Sequence, residues 1–420
     1  MNPQARSIQR TYLILLLGNT LAASLIWGIN TLFLLDAGLS NLEAFAANAF
    51  FTAGMVIFEV PTGVVADTWG RRTSYLLGTL TLAISTFLYF LMWQVKAPFW
   101  LWALVSVLIG LGFTFFSGAV EAWLVDALDF AKYEGGLEAV FGRGQMVSGA
   151  AMLGGSVLGG IIAQATTLGV PFLLRVAILL MMFAVAYRLM KDLGFSPEPA
   201  THPLRATRAV FNASLEHGLK NPPVRWVMLA GMFEGGVAIY AFYALQPYLL
   251  ELYGDPDAYS IAGLAAAIVS GAQIVGGYLA PRIRGLFHRR TTALIVATVV
   301  SVAVLALLGV TTAFWLALVL LVVWGLVYAA VIPIRQAYLN DMIPSAQRAT
   351  VLSFDSLMDS SGGVVVQPVL GRVADVYSYA TSFLVSAAIN LMAVPFLFAS
   401  RRERAAADTS TTPAAAPPTP

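Results

Sequence analysis

Apolar residues in this chain neither alternate as in a half-buried strand nor recur on one helical face. They run almost unbroken for about 20 residues at a time, the length a helix needs to cross a bilayer. Charges, Pro and Gly punctuate the runs and define twelve candidate spans. These lie near 10–35, 43–66, 73–95, 98–127, 139–165, 170–190, 223–252, 258–281, 291–310, 314–342, 348–374 and 380–399. The runs are far longer than the alternating strands of about ten residues that build membrane barrels. The pattern predicts an all-α membrane protein of twelve transmembrane helices, numbered here span 1 to span 12.

The connections carry a charge signal. Even-numbered connections hold Arg71 and Arg72, Lys132 and Arg143, Lys191 through Arg225, Arg282, Arg284, Arg289 and Arg290, and Arg348. Odd-numbered ones have only Lys96, Arg175 and Arg372 nearby. The positive-inside rule then puts both termini in the cytoplasm of a multi-pass protein of the inner, or plasma, membrane. Met1 to Arg10 leads straight into span 1 with no small-residue cleavage site, so no removed signal peptide is expected. The basic connection at 191–222 is the longest inside the chain, and its Arg205, Phe211, Leu215, Leu219 and Lys220 fit either a helix on the membrane surface or a plain linker. Residues 401–420 end in an Ala/Thr/Pro-rich stretch and are expected to be a disordered cytoplasmic tail.

The halves resemble each other at an offset of about 212–215 residues. Glu121-Ala122-Trp123-Leu124-Val125-Asp126 matches Gln336-Ala337-Tyr338-Leu339-Asn340-Asp341. Val157-Leu158-Gly159-Gly160 matches Val369-Leu370-Gly371-Arg372, and Gly63-x-x-x-Asp67 lies against Gly277-x-x-x-Pro281. Two pseudo-symmetric six-helix bundles follow, 1–190 and 223–400, joined by the linker, with a binding site between them near the midplane.

Composition narrows the function. Of 420 residues, 59% are hydrophobic and 11% charged, with a net charge of +2. That excludes a soluble fold and bulk disorder, and gives no reason to expect nucleic acid as a partner. With no Cys and three His, at His202, His217 and His288, thiolate metal sites are excluded and no cofactor or metal is expected. No His-Glu-x-x-His, Gly-x-Ser-x-Gly or Gly-Lys pair occurs, so neither an enzyme nor ATP-driven transport by this chain is expected.

Between spans 2 and 3 stands Gly63-Val64-Val65-Ala66-Asp67-Thr68-Trp69-Gly70-Arg71-Arg72. This resembles the G-x-x-x-D-x-x-G-R-R/K signature of the major facilitator superfamily, and the twelve spans, central loop and repeat extend the resemblance over almost the whole chain. The resemblance is to the drug:proton antiporter-like members. It implies the major facilitator fold, with Gly63 letting span 2 approach another helix and Asp67 capping the start of span 11 near Arg348. Arg71, beside Gly70 and Arg72, would pair with Asp126 to lock the cytoplasmic side. The C-half equivalent of Asp67 is Pro281, so the second latch is expected to be degenerate. Two antiporter motifs are eroded. The Arg-x-x-Gln-Gly of span 4 reads Ser106-Val107-Leu108-Ile109-Gly110, and the Gly-Pro-x-x-Gly-Gly of span 5 reads Gly155-Ser156-Val157-Leu158-Gly159-Gly160.

Ionisable residues within hydrocarbon cost about 2.5–3.5 kcal/mol each on insertion scales, so they call for a partner or a role. The interior acids are Glu59, Glu121, Glu234, Asp355 and Asp359. None lies in spans 3, 6, 9 or 12, the outer helices the resemblance implies. Glu59, Gly63 and Asp67 share one face of span 2. If that face meets span 11, Glu59 and Asp359 lie at one depth and can share a proton; alternatively Glu59 accepts from a nearby hydroxyl or amide. Proton-coupling candidates are thus Glu59, Glu121, Glu234 and Asp359, with Glu234 nearest the midplane. Arg335 matches Asp355 in depth and reads as a structural ion pair. Cavity candidates are Asn19, Trp27, Asn30, Glu234, Tyr240, Tyr243, Gln246, Gln273, Tyr328, Gln336 and Gln367. Gln273 and Gln336 align with Glu59 and Glu121, keeping shape but not titration.

The sequence therefore points to a monomeric secondary transporter whose partners are the lipid bilayer, protons and a small-molecule substrate, exporting small lipophilic or amphipathic compounds by alternating access. The rivals are proton-coupled uptake of a sugar or organic acid, and a non-transporting membrane receptor.

Overall fold

The computed structural model describes residues 3–197, 215–343 and 348–409. The proposed surface-helix residues Arg205 and Phe211 lie outside them, as does the tail from residue 410. Span 1 is Pro3–Trp27, continued after a turn by Asn30–Asp36; spans 2 and 3 are Asn41–Trp69 and Arg71–Val95. Span 4 is Phe99–Thr114 followed by Ala119–Phe130, and spans 5 and 6 are Leu137–Ala165 and Gly169–Leu189. Spans 7 to 10 are Pro222–Tyr253, Tyr259–Gly285, Arg290–Val310 and Phe314–Met342. Span 11 is Arg348–Val376, and span 12 is Tyr379–Leu391 with Ala393–Arg402.

Eleven of these are long and apolar enough to cross a membrane. Span 11 is long enough at 29 residues. It is more polar because it carries Asp355, Asp359, Arg372 and Asp375 and packs chiefly against spans 2 and 7. Such charge is tolerated where protein, not lipid, surrounds the helix.

The main helix contacts repeat with a shift of six. Spans 1–5, 2–4, 3–4, 3–6 and 1–6 pack in one half; spans 7–11, 8–10, 9–10, 9–12 and 7–12 pack in the other. The halves meet through spans 2–11 and 5–8, which exchange under the same shift. Two pseudo-symmetric six-helix bundles are thus present.

The even number of crossings puts Pro3 and Thr409 at one end, called here the terminal end; the other is the far end. At the far end the halves are sealed. Asp375, closing span 11, accepts from the backbone N–H groups of Asn41 and Leu42, each at 2.8 Å, at the first turn of span 2. Gln246 on span 7 donates to the Trp27 carbonyl at 2.8 Å and accepts from Thr31 N–H at 3.1 Å. Gln164 accepts from Ser260 N–H at 3.1 Å. Close backbone approach requires Gly here: a Cβ on Gly28 would come within 2.9 Å of the Gly263 Cα. The apolar cores agree. Phe45 packs into the far-end core of the second half, and Leu250 and Ala262 into that of the first. The terminal-end cores each draw on one half alone.

At the terminal end, Gly63 on span 2, Gly142 on span 5 and Gly277 on span 8 each have open space where a Cβ would stand. The close approach of Gly63 to another helix, expected from the motif, is therefore not made here. Among the described residues, the side-chain hydrogen bonds between the halves lie at the far end.

Two expectations need correction. Span 4 is not continuous: it turns at 115–118 with Gly118 left-handed (φ 68°), and the Ser74 hydroxyl takes up the freed Phe115 carbonyl at 2.8 Å. The tail is structured as far as Thr409. Asp408, 1% exposed, accepts from Thr291 N–H and from its hydroxyl, both at 2.8 Å, capping the start of span 9.

Candidate functional site

Asp355 and Asp359 stand one turn apart on span 11, so both carboxylates project from one face. Arg335 comes two residues after Pro333, inside span 10. Its guanidinium fork meets both acids at once. Nη1 donates to Asp355 at 2.8 Å and Asp359 at 3.0 Å; Nη2 donates to Asp355 at 2.7 Å and Asp359 at 3.0 Å. Span 7 makes room for this with Gly231 and Gly235. A Cβ on Gly235 would sit 2.8 Å from the Asp359 carbonyl oxygen, and one on Gly231 would collide with the Asp359 and Arg335 side chains. The two carboxylates differ in access. The Asp355 side chain is 6% exposed and that of Asp359 33%.

Glu234, on the same Gly-rich turn of span 7, accepts from the Thr298 hydroxyl of span 9 at 2.5 Å. Thr298 also lies 2.9 Å from the Leu294 carbonyl. A hydroxyl has one proton to give. With Glu234 ionised it goes to the carboxylate; with Glu234 protonated it can turn to Leu294 and accept from the acid. The three carboxylates and Arg335 line a cavity of about 280 Å³, walled by Trp324, Val327, Tyr328, Ile332 and Leu352. Trp324 and Tyr328 stack with centroids 5.8 Å apart. Among the described residues, no cluster of His, Cys, Asp and Glu suits a metal ion.

The motif between spans 2 and 3 has its own geometry. Arg71 bonds Asp67 and lies 3.9 Å from Asp126. The expected cap of span 11 by Asp67 falls at residues 344–347, outside the described ones. Gly70 has a positive φ (100°), which favours glycine, and Asp192 occupies the place a Cβ would take. Asp192 accepts from Arg72 N–H at 2.9 Å. Burial pushes its carboxyl above the usual range, against that hydrogen bond and the two nearby arginines. The second half keeps more of the latch than the sequence suggested. Pro281 does stand for Asp67, but Arg290 pairs with Asp341 at 2.6 Å.

The sequence profile of the Major Facilitator Superfamily matches residues 12–326 and 285–420. The chain belongs to the major facilitator superfamily. Solved structures agree on the fold. The chain is similar to the nucleoside transporter NupG, with 13% identity, a TM-score of 0.77 and coverage of 96% of this chain and 100% of that one. It also resembles a POT family transporter solved with a thioalcohol-conjugated peptide (11%, 0.68, 94% and 96%). A third likeness is a bacterial homologue of the human lysosomal transporter Spinster, inward-facing and unoccupied (15%, 0.68, 96% and 98%). None of the curated proteins matches the chain in sequence.

The remaining sequence candidates of this facilitator protein scatter. Glu59 does not meet Asp359; it accepts from Ser117 at the span 4 turn, at 2.5 Å, while Asp359 is held by Arg335. Glu121 is exposed and lies in electrostatic reach of Tyr12. Tyr328 and Gln336 line the cavity, and Gln273 is exposed on span 8. Four others are packing residues. Tyr240 is fully buried and donates to Ser382 at 2.6 Å; Gln246 is one of the far-end ties; Gln367 is fully buried and donates to Gly363 at 3.1 Å; Asn19 accepts from Tyr75 at 2.8 Å. Asn30 joins Asn48 at 2.9 Å. The Trp27 ring rests on Phe242, and Phe242 on Tyr243. Residues the sequence did not single out include Thr298 and Asn390, because spans 9 and 12 were expected to face lipid, and Asp375, whose position near a helix end looks like solvent exposure.

Proposed function

We propose that the chain is a proton-coupled secondary transporter that exports small amphipathic compounds bearing a cationic group by alternating access. The observation that carries this is the charge imbalance around one cavity: Glu234, Asp355 and Asp359 face a single guanidinium, Arg335. One cation offsets one of three carboxylates. The remainder, surrounded by helices in hydrocarbon, calls for protons or a cationic ligand. Trp324, Tyr328, Val327 and Ile332 supply the apolar and π surface on which an organic cation rests. Protons and such a cation compete for the same acids, so loading one releases the other, and competition at one site is what exchange transport needs. Asp355 is sealed and serves as the anchor of Arg335; Asp359 and Glu234 are the groups that change partner.

The basic connections support a cytoplasmic terminal end in a plasma or inner membrane. The open end then admits substrate from the cytosol, and Gly63, Gly142 and Gly277 are where the halves come together when that end closes. A second reading, proton-coupled uptake of a small polar metabolite, is favoured by Ser301, Gln336, Ser356 and Asn390 in the same wall. Proteoliposomes loaded with tetraphenylphosphonium, under an imposed pH gradient, separate the readings. Export predicts gradient-driven efflux that Glu234→Gln and Asp359→Asn abolish. Flux indifferent to the gradient in all three proteins would sink proton coupling.

A further inference from the structure

Arg175 is a buried cation that the acidic cavity does not use. It lies on span 6, about 9 Å along the helix from Gly169, and is 4% exposed. Among the described residues no carboxylate pairs with it and it makes no hydrogen bond; its Nε has no partner. Its guanidinium stands 5.6 Å from the centre of the Phe113 ring on span 4, and the phenol groups of Tyr89 on span 3 and Tyr243 on span 7 are in electrostatic reach. Tyr89 in turn shares a hydrogen bond with Ser106. Tyr243 belongs to the other half, so the cation points at the seam that opens and closes during transport.

A guanidinium keeps its charge at neutral pH. A buried acid can take up a proton instead, but a buried Arg needs an anion, and this one has only a ring face and neutral hydroxyls. The missing charge is a single negative one. A carboxylate supplies that, and its two oxygens match the guanidinium fork; a phosphate dianion would leave one charge unmatched. The acidic cavity lies on the other side of the seam, and Tyr243 and Glu234 share span 7, about 14 Å apart along its axis. Opposite charges therefore stand on the two halves, on either side of the seam.

We infer that Arg175, with the hydroxyls of Tyr89 and Tyr243, is a subsite for the carboxylate of the transported compound, which is therefore a zwitterion with its amine toward Glu234 and Asp359. The amine half of this rests on the proposed function; the carboxylate half does not. A substrate held in this way bridges the two halves.

The test is ligand affinity of the purified full-length protein, read by intrinsic tryptophan fluorescence at constant ionic strength. The probes are benzoate, benzylamine, 4-(aminomethyl)benzoate, inorganic phosphate and chloride. In wild type, 4-(aminomethyl)benzoate should bind tighter than benzoate or benzylamine, and phosphate and chloride more weakly than benzoate. Arg175→Gln should weaken benzoate by about tenfold or more and leave benzylamine within about twofold. If that variant fails to fold, Arg175→Lys and Tyr243→Phe should each weaken benzoate selectively. No benzoate binding in wild type, benzoate affinity unchanged in the variants, or chloride or phosphate binding as tightly as benzoate would each overturn the subsite. Loss of benzylamine binding alone in Glu234→Gln bears on the cation site, so failure of either half is separately visible.

Discussion

Spans 4 and 10 occupy matching places in the two halves and share a helix-breaking register: Gly118 plus 215 is Pro333. The outcomes differ. Gly118 adopts a left-handed turn and splits span 4 in two. Pro333 stays inside one continuous helix, and two residues later stands Arg335, whose counterpart at that offset is Val120. The terminal ends, by contrast, match closely. Arg71 faces Asp126 as Arg290 faces Asp341. Asp192 caps the start of span 3 as Asp408 caps the start of span 9. The repeat thus conserves its end fittings and diverges in its middle, where one half gathers three acids around Arg335 and the other buries Arg175 with no carboxylate paired to it among the described residues.

The largest expected effect comes from breaking that concentration. Arg335→Gln strands the buried Asp355 and leaves Asp359 unpaired, and should destabilise the protein by about 3–5 kcal/mol, read as a lowered thermal midpoint of the purified protein; Arg335→Gln with Asp355→Asn should recover part of it. Replacing Arg175, the other half's cation, should cost less, since it leaves no buried acid behind. The two acids should then separate. Asp355→Asn should act on stability, and Asp359→Asn on transport at nearly normal stability, because Asp355 is sealed and Asp359 is not.

A smaller effect is expected at the far end. Asp375→Ala removes the cap on span 2 and should favour the opposite opening by about 1 kcal/mol, or about fivefold in population. The chain has no Cys, so spin labels at Ser40→Cys and Tyr377→Cys can report the far-end distance without background. The smallest effect belongs to the terminal-end latch. Asp126→Asn removes a partly exposed pair and should change stability by about 0.2–1 kcal/mol, with a matching small change from Asp341→Asn. A large effect in one of these two alone would break the equivalence of the ends.

Much of the fold was legible because its signals are summed over many residues. Span lengths, the side of the basic connections and the six-plus-six repeat all rest on long stretches. The Arg335–Asp355 pairing was readable because depth along a helix is set by residue count. Rotation is not. Glu59, Gly63 and Asp67 do share a face of span 2, but that face could meet span 4 or span 11, and Glu59 meets Ser117 at a turn the apolar run concealed. Arg175 was read as a charge near a connection because hydropathy reports no partners. The far-end caps were hidden for a related reason: an Asp just inside a helix end looks the same whether water or a neighbouring helix N-terminus receives it.

The central claim is that protons and an organic cation share the carboxylates of one half. The direct measurement is proton release when tetraphenylphosphonium is added to purified protein in weakly buffered detergent solution. Wild type should release protons on binding, and so should Glu121→Gln, whose altered acid lies in the other half. Glu234→Gln and Asp359→Asn should release fewer or none. Undiminished release from both of these, or its loss in Glu121→Gln instead, would contradict the account.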